Sequence, residues 1–520
     1  MEQRAIKSLL KPSAFPERTG SVHLIQTHVS LLFVTDNFVY KIKKPVDFGF
    51  LNFTTLDRRR FYCNEEVLLN RRLCPDIYLE VVEVRESSRG VTMDGEGTVI
   101  DYAVKMKRLP EERMLDRLLR EGNVSPDDIA KIARTIAEFH LNAERNSDIA
   151  GFGSMEVISR NWLENFQQLS ELAGIPVGNM ELGALGSWGI NFLTANKDVF
   201  AERVSKGFIR DCDGDIHTEN ICLTDKVCIF DCIEFNNRFR YSDTAADIAF
   251  LLMDLDFAGR PDCSELLLSE YIAATKDEAI RGVLDYYRVY RAVVRGKVES
   301  FRMLDQEIPE SDRQSAGERA CRYFRLARGY TLRHKLPLTL FITSGLMGSG
   351  KSTIAAALAL ELGVERFSSD QVRKELAGLP SHTRSNDEYG GGIYSAEFTQ
   401  TTYDALLIRA EHILEAGRSV IIDASFGRRT DRDRCRALAA RYSAGFLILS
   451  TSLREKSLKK RLDRRAETPH QVSDGRWELV ARQKVAFEPV ADDEMPHIRL
   501  DTSLPQFAVI DRILEQTGII

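Results

Sequence analysis

The apolar positions in the first part of the chain follow the pattern of a small β-rich lobe that leads into a helical one. Apolar runs bounded by turn-forming residues predict strands at 22–26, 30–34, 38–43, 78–85 and 98–107. A hairpin turn is predicted at Thr35-Asp36-Asn37, between the second and third of these strands. A helical pattern covers residues 56–73. From Ser125, an N-cap followed by Pro126, the pattern stays helical.

The second part begins where an arginine-rich helical sequence gives way to Leu336-Pro337. Strands are predicted at 338–343, 364–368, 418–423 and 445–450, and helices at 351–362, 371–377, 394–416 and 429–441. Strands that alternate with helices predict a parallel sheet with both faces covered. We therefore predict an α+β domain over residues 1–335 and an α/β domain over residues 336–520. The first has a small lobe over about 1–109 and a helical lobe over about 110–335.

Composition fits a chain with more than one large core. Of the 520 residues, 43% are apolar and 28% charged, the balance of a soluble globular protein. No run of about 18 uncharged apolar residues predicts a transmembrane helix, and the charged first residues predict no secretory signal. Nine cysteines scattered over the chain favour reduced thiols and a cytoplasmic location.

The distribution of charge argues against one class of partner. The net charge is −6, and residues 336–520 contain 25 basic and 25 acidic side chains. A protein that binds long nucleic acid has a basic excess, which neither part shows. We therefore expect neither long nucleic acid nor a membrane as a partner.

A glycine-rich phosphate-binding loop is the clearest chemical signal. Residues 345–352 read Gly-Leu-Met-Gly-Ser-Gly-Lys-Ser, which matches G-x-x-x-x-G-K-[ST] between a predicted strand and a predicted helix. Backbone N–H groups of such a loop bind phosphate oxygens, Lys351 neutralises the β- and γ-phosphates, and Ser352 holds Mg²⁺. Nucleotide binding is assigned to Gly345, Leu346, Met347, Gly348, Ser349, Gly350, Lys351, Ser352 and Thr353.

Two positions downstream of this loop contain further candidate catalytic or metal-binding residues. Asp370 and Arg373 form a D-x-x-R motif at the start of the helix after the second predicted strand. Asp423 ends a buried strand, where a carboxylate can orient Mg²⁺-bound water or the acceptor. The plainer alternatives are that Asp370 caps its helix, that Arg373 is solvated, and that Asp423 caps the loop that follows it.

The segment 454–465 combines one apolar face with a dense basic face. Such a segment can serve as a lid whose arginines stabilise the transferring phosphoryl group. Arg461 and Arg464 are the candidates for this role, with Arg465 close behind. The alternative is a solvated charged face.

These motifs resemble those of small P-loop kinases, over about 180 residues. The D-x-x-R motif is similar to that of the 5′-kinase domain of polynucleotide kinases and of zeta-toxin-type and gluconate-kinase-type enzymes. The resemblance implies ATP and Mg²⁺ as cofactors, Asp370 as the general base for an acceptor hydroxyl, and Arg373 as a clamp on an anionic group of the acceptor.

A second candidate catalytic loop lies in the first part. Asp215 and Asn220 have the D-x-x-x-x-N spacing of a kinase catalytic loop. Asp231 lies eleven residues after Asn220, at the end of an apolar run. Cysteines lie near this loop at 212, 222, 228 and 232, with spacings that match no zinc motif, so packed thiols are predicted. His217 is predicted to be structural.

This stretch resembles the aminoglycoside phosphotransferase and choline kinase group, over roughly residues 20–330, in a bacterial branch fused to P-loop kinase domains. The resemblance implies a bilobal kinase-like fold with Asp215 as the catalytic base and with Asn220 and Asp231 as metal ligands. Asp213 replaces the histidine that is usual in H-G-D-x-x-x-x-N.

The same resemblance assigns roles in the small lobe. Lys41 is the implied phosphate-binding lysine, with Lys43 on the same strand face as the fallback. Glu66 is its implied ion-pair partner, with Glu65 as the alternative. Residues 106–109 resemble the hinge strand that contacts adenine, and Asp247 is predicted to support the backbone of the catalytic loop.

Three functional hypotheses follow from the sequence. The first is an ATP-dependent kinase in which the P-loop domain phosphorylates a hydroxyl and the first domain binds ATP–Mg²⁺, with a second substrate of its own. The second makes the first domain a non-catalytic sensor that regulates the P-loop domain. The third makes the P-loop domain a kinase of nucleic-acid 5′-hydroxyl ends.

Overall fold

The chain divides into two compact units. The computed structural model describes residues 3–379, 391–466 and 477–520, and it separates Met1–Cys321, here unit 1, from Arg322–Ile520, here unit 2. The division falls inside the helix Glu310–Leu332, upstream of the boundary predicted after residue 335. The second half of this helix belongs to unit 2 because its Arg325 and Arg328 form ion pairs with Glu361 and Asp511.

Unit 1 opens with a six-stranded antiparallel sheet in the order β1-β2-β3-β6-β4-β5. Its strands are β1 His23–Gln26, β2 Ser30–Val34, β3 Phe38–Lys43, β4 Tyr78–Ser87, β5 Gly90–Met93 and β6 Thr98–Lys107. Helix α1 (Gln3–Leu9) precedes the sheet and α2 (Leu56–Asn70) lies between β3 and β4. These bounds confirm the predicted small β-rich lobe. The sequence pattern missed only the short strand β5.

Helices dominate the rest of unit 1. They are α3 Leu115–Glu121, α4 Pro126–Asn142, α5 Ser147–Gly151, α6 Met155–Ser170, α7 Asn179–Ala195, α8 Lys197–Ser205, α9 Asn237–Arg240, α10 Thr244–Phe257, α11 Pro261–Thr275, α12 Arg281–Leu304 and the first half of α13 Glu310–Leu332, the helix in which the two units divide. Ser125 caps α4 as predicted, in a reciprocal capping box with Asp128. Two short strand pairs accompany the helices: β7 (Ile209–Asp211) with β10 (Tyr241–Asp243), and β8 (Ile221–Leu223) with β9 (Val227–Ile229).

Unit 2 is built on a parallel five-stranded sheet in the order β12-β13-β11-β14-β15. The strands are β11 Thr339–Ser344, β12 Glu365–Ser368, β13 Val420–Asp423, β14 Gly445–Ser452 and β15 His497–Asp501. The helices are α14 Lys351–Leu362, α15 Ser369–Leu376, α16 Ala396–Glu415, α17 Arg429–Arg441, α18 Glu455–Ala466, α19 Trp477–Ala486 and α20 Gln506–Gln516. The predicted α/β fold with a parallel sheet is confirmed.

Alternation along β11 explains why both faces of this sheet are covered. Leu340 and Ile342 pack into one core with α15, α16 and α17, whereas Phe341 packs into the opposite core with α14 and α20. Successive side chains of a strand point to opposite faces, so an uninterrupted apolar strand needs a helical layer on each side. The P-loop follows directly from this central strand.

One expectation about the cysteines was wrong. Cys74, just after α2, and Cys228, on β9, form a disulfide with a Cα–Cα distance of 4.9 Å. Composition favoured reduced thiols throughout, but it contains no information on which cysteines the fold brings within bonding range. Cys212, Cys222 and Cys232 are buried free thiols, as predicted. In the described part of the chain, no helix is both long enough and apolar enough to cross a membrane.

Removal of this disulfide should destabilise unit 1. It closes a loop with a sequence separation of 154 residues, and loss of such a cross-link costs roughly 2–5 kcal/mol of unfolding free energy. The test is urea unfolding of Cys74→Ser/Cys228→Ser in a chain that also carries Trp477→Phe, so that fluorescence reports Trp162 and Trp188 of unit 1. Dithiothreitol should lower the midpoint of the parent and of a Cys222→Ala control, and leave that of the double variant unchanged. A parent midpoint that does not respond to reductant contradicts the cross-link.

Candidate active sites

The P-loop joins the end of β11 to the start of α14. Three of its glycines have positive φ angles: 148° at Gly345, 75° at Gly348 and 95° at Gly350. A Cβ atom at Gly345 would lie 2.5 Å from the hydroxyl oxygen of Thr451, so both conformation and space require glycine here. Lys351 Nζ donates to the carbonyl of Leu346 at 2.9 Å. The loop has the backbone conformation with which such motifs bind phosphate.

The first turn of α14 carries the other residues assigned to the nucleotide. Ser352 and Thr353 are exposed at its second and third positions, and Gly350 precedes the helix as its N-cap. The N–H groups of a first helical turn have no partner within the helix, and they attract anions. Ser352 is therefore on the surface next to the loop, in the position from which its hydroxyl can hold a metal ion.

Helices α18 and α19 pack on the P-loop. Leu458, Leu462 and Val480 form an apolar cluster with Met347. A Cβ atom at Gly348 would come within 2.9 Å of Leu462, so this glycine allows the close approach of α18. The Met347 N–H donates to Gln483 Oε1 of α19 at 2.8 Å, a contact that sequence reasoning missed.

Arg461 reaches from α18 to the loop after β15. Its guanidinium donates to the hydroxyl oxygen and the carbonyl of Thr502, and the Thr502 hydroxyl donates to the carbonyl of Ser349 at 2.6 Å. Arg464 is exposed on the same helix, and the side chain of Arg465 lies outside the described residues. A cavity of about 300 Å³ adjoins this contact, lined by Gly350, Thr353, Ile354, Arg461, Thr502, Leu504 and Gln506.

The carboxyl ends of β11, β12 and β13 bring the other candidates of unit 2 to one edge of the sheet. Asp370 is the second residue of α15, directly after β12, and Ser368 pairs with Asp423 at the end of β13. The buried carboxylate of Asp423 accepts from Arg366 at 2.8 Å and from the Thr343 hydroxyl at 3.3 Å. A metal ion at Asp423 would compete with Arg366.

Arg373 is buried one turn after Asp370. One guanidinium nitrogen donates to the carbonyl of Ile393 at 2.8 Å and to the hydroxyl of Thr399 at 3.1 Å, and the group lies over the ring of Tyr394. Its Nε is buried and has no hydrogen-bond partner among the residues that the structure describes. A buried donor without a partner is costly, which is consistent with a group that binds an anion.

Unit 1 contains a connected cluster of buried charges. Lys41 Nζ lies 2.8 Å from Glu66 Oε1 and 2.5 Å from Asp231 Oδ1. Lys43 Nζ lies 2.6 Å from Glu66 Oε2 and also pairs with Glu234. Each oxygen of the Glu66 carboxylate therefore serves one lysine. Glu66 rather than Glu65 is therefore the ion-pair partner of Lys41. It also pairs with Lys43, so both lysines of the strand belong to the cluster.

The pKa shifts in this cluster follow from burial and pairing. Burial alone would raise the pKa of Glu66, but the ammonium groups of Lys41 and Lys43 outweigh it and lower that pKa to about 2. Burial likewise opposes the charge of Lys41, yet Asp231 and Glu66 raise its pKa well above the usual value. At neutral pH Glu66 and Lys41 are therefore both charged.

The loop between β7 and β8 brings together the other candidates of unit 1. Asn220 Nδ2 donates to the carboxylate of Asp215 at 3.1 Å, and the Asn220 carbonyl accepts the N–H of Phe230, the residue before Asp231. His217 lies 3.5 Å from Asp215, and this contact, working against burial, lowers the pKa of Asp215. Asp215 is a carboxylate, as a general base must be.

Asp247 supports this loop, as the sequence predicted. Its carboxylate accepts the N–H groups of Asp213 and Gly214 at 3.0 and 2.8 Å, and His140 lies 3.1 Å away. Asp213 itself is buried, and its Oδ1 accepts the N–H of Asp215 at 3.1 Å. Burial, followed by the negative charge of Asp247, raises the pKa of Asp213 well above its usual value.

The comparisons with known proteins agree with the geometry of unit 2. A family model described as an AAA domain matches residues 340–490. A shikimate kinase of Legionella pneumophila is 31% identical over 173 residues, which cover 33% of this chain and 90% of that enzyme. Together with the P-loop and the parallel sheet, these matches make unit 2 a P-loop kinase domain.

Another relative matches most of the chain, including much of unit 1. An uncharacterized protein of Mycobacterium tuberculosis is 32% identical over 416 residues, 80% of each chain, and the present chain belongs to the same family. A solved choline/ethanolamine kinase family protein from Mesorhizobium loti covers 62% of this chain and 95% of its own, at 12% identity and a TM-score of 0.38.

The raised pKa of Asp213 predicts that Asp213→Asn is tolerated at neutral pH. Burial raises the pKa of Asp213 in the folded protein above the value of about 3.9 that an aspartate has in the unfolded chain. Such a group lowers the free energy of unfolding as the pH rises from the unfolded-state pKa toward the folded-state pKa. Asparagine is neutral and keeps an oxygen for the N–H of Asp215. The urea midpoint of Asp213→Asn relative to the parent should therefore rise between pH 4 and pH 7.5.

Asp247→Asn is the contrasting variant, because this carboxylate accepts two loop N–H groups and faces His140. It should be destabilised at pH 7.5. An Asp213→Asn midpoint that falls relative to the parent with rising pH would contradict a raised pKa of Asp213.

Proposed function

We propose that unit 2 transfers the γ-phosphoryl group of ATP to a hydroxyl group of a small molecule. The observation that carries this proposal is the P-loop, with its positive-φ glycines and Lys351, at the start of α14 on the central strand of a parallel sheet. Its backbone N–H groups and the helix N-terminus bind phosphate oxygens, and Lys351 neutralises charge on the β- and γ-phosphates. The cavity beside Gly350 and Thr502 is of a size that accepts a nucleobase.

The proton of the acceptor is assigned to Asp370. In this proposal its carboxylate takes the hydroxyl proton, the acceptor oxygen bonds to the γ-phosphorus, and ADP leaves. Arg373 is proposed to hold an anionic group of the acceptor, which is supported by its buried Nε, a donor without a partner among the described residues. Arg461 and Arg464 of α18 are proposed to stabilise charge on the transferring group.

Mg²⁺ is the metal that fits this site. The Ser352 hydroxyl and, through water, Asp423 would hold it, and it would neutralise charge on the bridging phosphate oxygens. Oxygen donors of this kind suit Mg²⁺. Asp423 is held by Arg366 at 2.8 Å, so it is better placed to orient a metal-bound water than to bind the ion directly.

The acceptor is proposed to be a small molecule rather than a polynucleotide. Residues 336–520 carry 25 basic and 25 acidic side chains, so they lack the excess that neutralises a long phosphate backbone. The Legionella relative is named for its action on a small hydroxylated acid, which supports an acceptor of that size. A kinase of 5′-hydroxyl ends remains the alternative that the acceptor screen separates.

For unit 1 we propose a kinase-like module that binds a second ATP–Mg²⁺. The support is the cluster in which Lys41, Glu66 and Asp231 meet within 2.8 Å, near a loop that joins Asp215 to Asn220. Lys41 would contact phosphate, and Asn220 and Asp231 offer the oxygen ligands that Mg²⁺ prefers. Asp215 is the proposed base for a second acceptor, and a sensor without transfer activity is the alternative.

Asp370→Asn should separate catalysis from nucleotide binding in unit 2. The acceptor is first identified with labelled ATP against sugars, small hydroxy acids, nucleosides, aminoglycosides and 5′-hydroxyl oligonucleotides. Loss of a general base should lower kcat about 10²–10⁴-fold with little change in ATP affinity. Lys351→Ala should instead reduce ATP turnover at least about a hundredfold.

Glu375→Gln on the same helix α15, which removes only a surface pair with Arg409, is the matched control and should keep the parent kcat. If Asp370→Asn loses ATP affinity instead of kcat, the base lies elsewhere.

Nucleotide binding by unit 1 is tested in the full chain by hydrogen exchange. Mg²⁺ with a nonhydrolysable ATP analogue should protect peptides that cover β3 and residues 213–231, and Asp231→Asn should remove the Mg²⁺-dependent part. In a Lys351→Ala background, any remaining phosphotransfer should disappear with Asp215→Ala. Absence of protection at millimolar nucleotide contradicts the proposal. Protection without any transfer supports the sensor.

A further inference from the structure

Unit 1 contains a second lysine–carboxylate pair that the proposed nucleotide chemistry does not use. Lys43 Nζ binds Glu66 Oε2 at 2.6 Å and also an oxygen of Glu234. The side chains of Lys43 and Glu234 are 1% and 6% exposed, and the ammonium group also lies over the ring of Phe53 at 4.9 Å. This pair, here called the inner pair, is therefore shielded from solvent.

The pair formed by Lys41 and Asp231 is different in its exposure. The side chain of Asp231 is 47% exposed, so water and ligands reach it. Lys41 and Lys43 are two residues apart on β3 and therefore share one face of the strand, where both contact Glu66. A ligand can thus displace the outer pair, Lys41–Asp231, without reaching the inner one.

Each backbone N–H group from Asp231 to Ile233 donates a hydrogen bond to a different part of unit 1. The Asp231 N–H donates to the hydroxyl of Tyr78 at 3.1 Å and the Cys232 N–H to Asn70 Oδ1 at 2.9 Å. The Ile233 N–H donates to the carbonyl of Asp213 at 3.1 Å. Segment 231–234 therefore follows a defined path, with the outer pair at one end and the inner pair at the other.

We propose that Lys43 and Glu234 are positioning residues that hold segment 231–234 against β3 while Asp231 exchanges Lys41 for Mg²⁺ and Lys41 exchanges Asp231 for nucleotide phosphate. The inference rests on the proposed function of unit 1. Separating a buried ion pair leaves a charge without a partner in a medium of low polarity, so the inner pair stays closed when the outer pair opens. Asp231 then changes partner while its backbone stays in place.

Loss of the inner pair should weaken Mg²⁺ binding more than nucleotide binding. Residues that orient a metal ligand without touching the metal typically contribute 10–100-fold to metal affinity. Glu234→Gln keeps the shape of the side chain and removes its charge. We expect it to raise the Mg²⁺ concentration for half-maximal protection at least about tenfold, and to leave the metal-free affinity for the nucleotide analogue unchanged.

The experiment is hydrogen exchange of the full chain, with Mg²⁺ titrated at a saturating concentration of a nonhydrolysable ATP analogue. Peptides that cover β3 and residues 227–235 report unit 1 separately from the P-loop. Glu65→Gln is the matched control, since it removes a carboxylate from α2 beside Glu66 but outside the cluster, and it should keep the Mg²⁺ midpoint of the parent.

A second variant tests the same inference if Glu234→Gln fails to fold. Lys43→Met/Glu234→Leu removes both charges, which buried cores tolerate better than one unpaired charge, and it should show the same shift in Mg²⁺ midpoint. A parent-like midpoint in either folded variant overturns the inference. Absence of any Mg²⁺-dependent protection in the parent overturns the proposed function of unit 1 instead.

Discussion

A carboxylate that is fully shielded from water must be paired, and in unit 1 that requirement falls on Glu66. Its two oxygens bind two lysines of one strand, and each lysine in turn binds a carboxylate of the segment after β9. One buried charge thus connects helix α2, strand β3 and the segment that carries Asp231. The positions of Lys41 and Asp231, two of the candidate nucleotide contacts in this unit, depend on that connection.

The proposed phosphate site of unit 2 is built differently from that of unit 1. Its P-loop depends on backbone conformation: positive-φ glycines, the N-terminus of α14 and the close approach of α18 at Gly348. Lys351 adds a side-chain cation to this backbone framework. Unit 1 relies on side-chain charges held in place by burial, so it is sensitive to the loss of single charges. Unit 2 is sensitive instead to any side chain added at its glycines.

The sequence was most informative where function depends on local spacing. The P-loop is contiguous and lies between a strand and a helix that the apolar pattern predicts, so its geometry could be expected in full. Lys41 and Glu66 were paired through the resemblance to known kinases. The role of Glu234 could not be predicted, because it depends on how the segment after β9 docks on β3. Cys74 and Cys228 are separated by 154 residues, and only the fold brings them together.

Asp213 shows how burial changes the meaning of a residue. In the sequence it is an added carboxylate next to a candidate catalytic base. In the structure it is buried beside Asp247, which raises its pKa well above the usual value, and its Oδ1 accepts the Asp215 N–H. The replacement of the usual histidine by Asp213 therefore supplies a buried hydrogen-bond acceptor for the loop, which the residue type alone could not indicate.

The central claim is that one chain contains two separate sites for ATP–Mg²⁺, one held by side-chain charges and one by a P-loop. The most direct measurement is the binding stoichiometry of a nonhydrolysable ATP analogue to the intact chain, by calorimetry with Mg²⁺ in excess. The account predicts saturation at two nucleotides per chain. Saturation at one nucleotide per chain, with the P-loop intact, would contradict it.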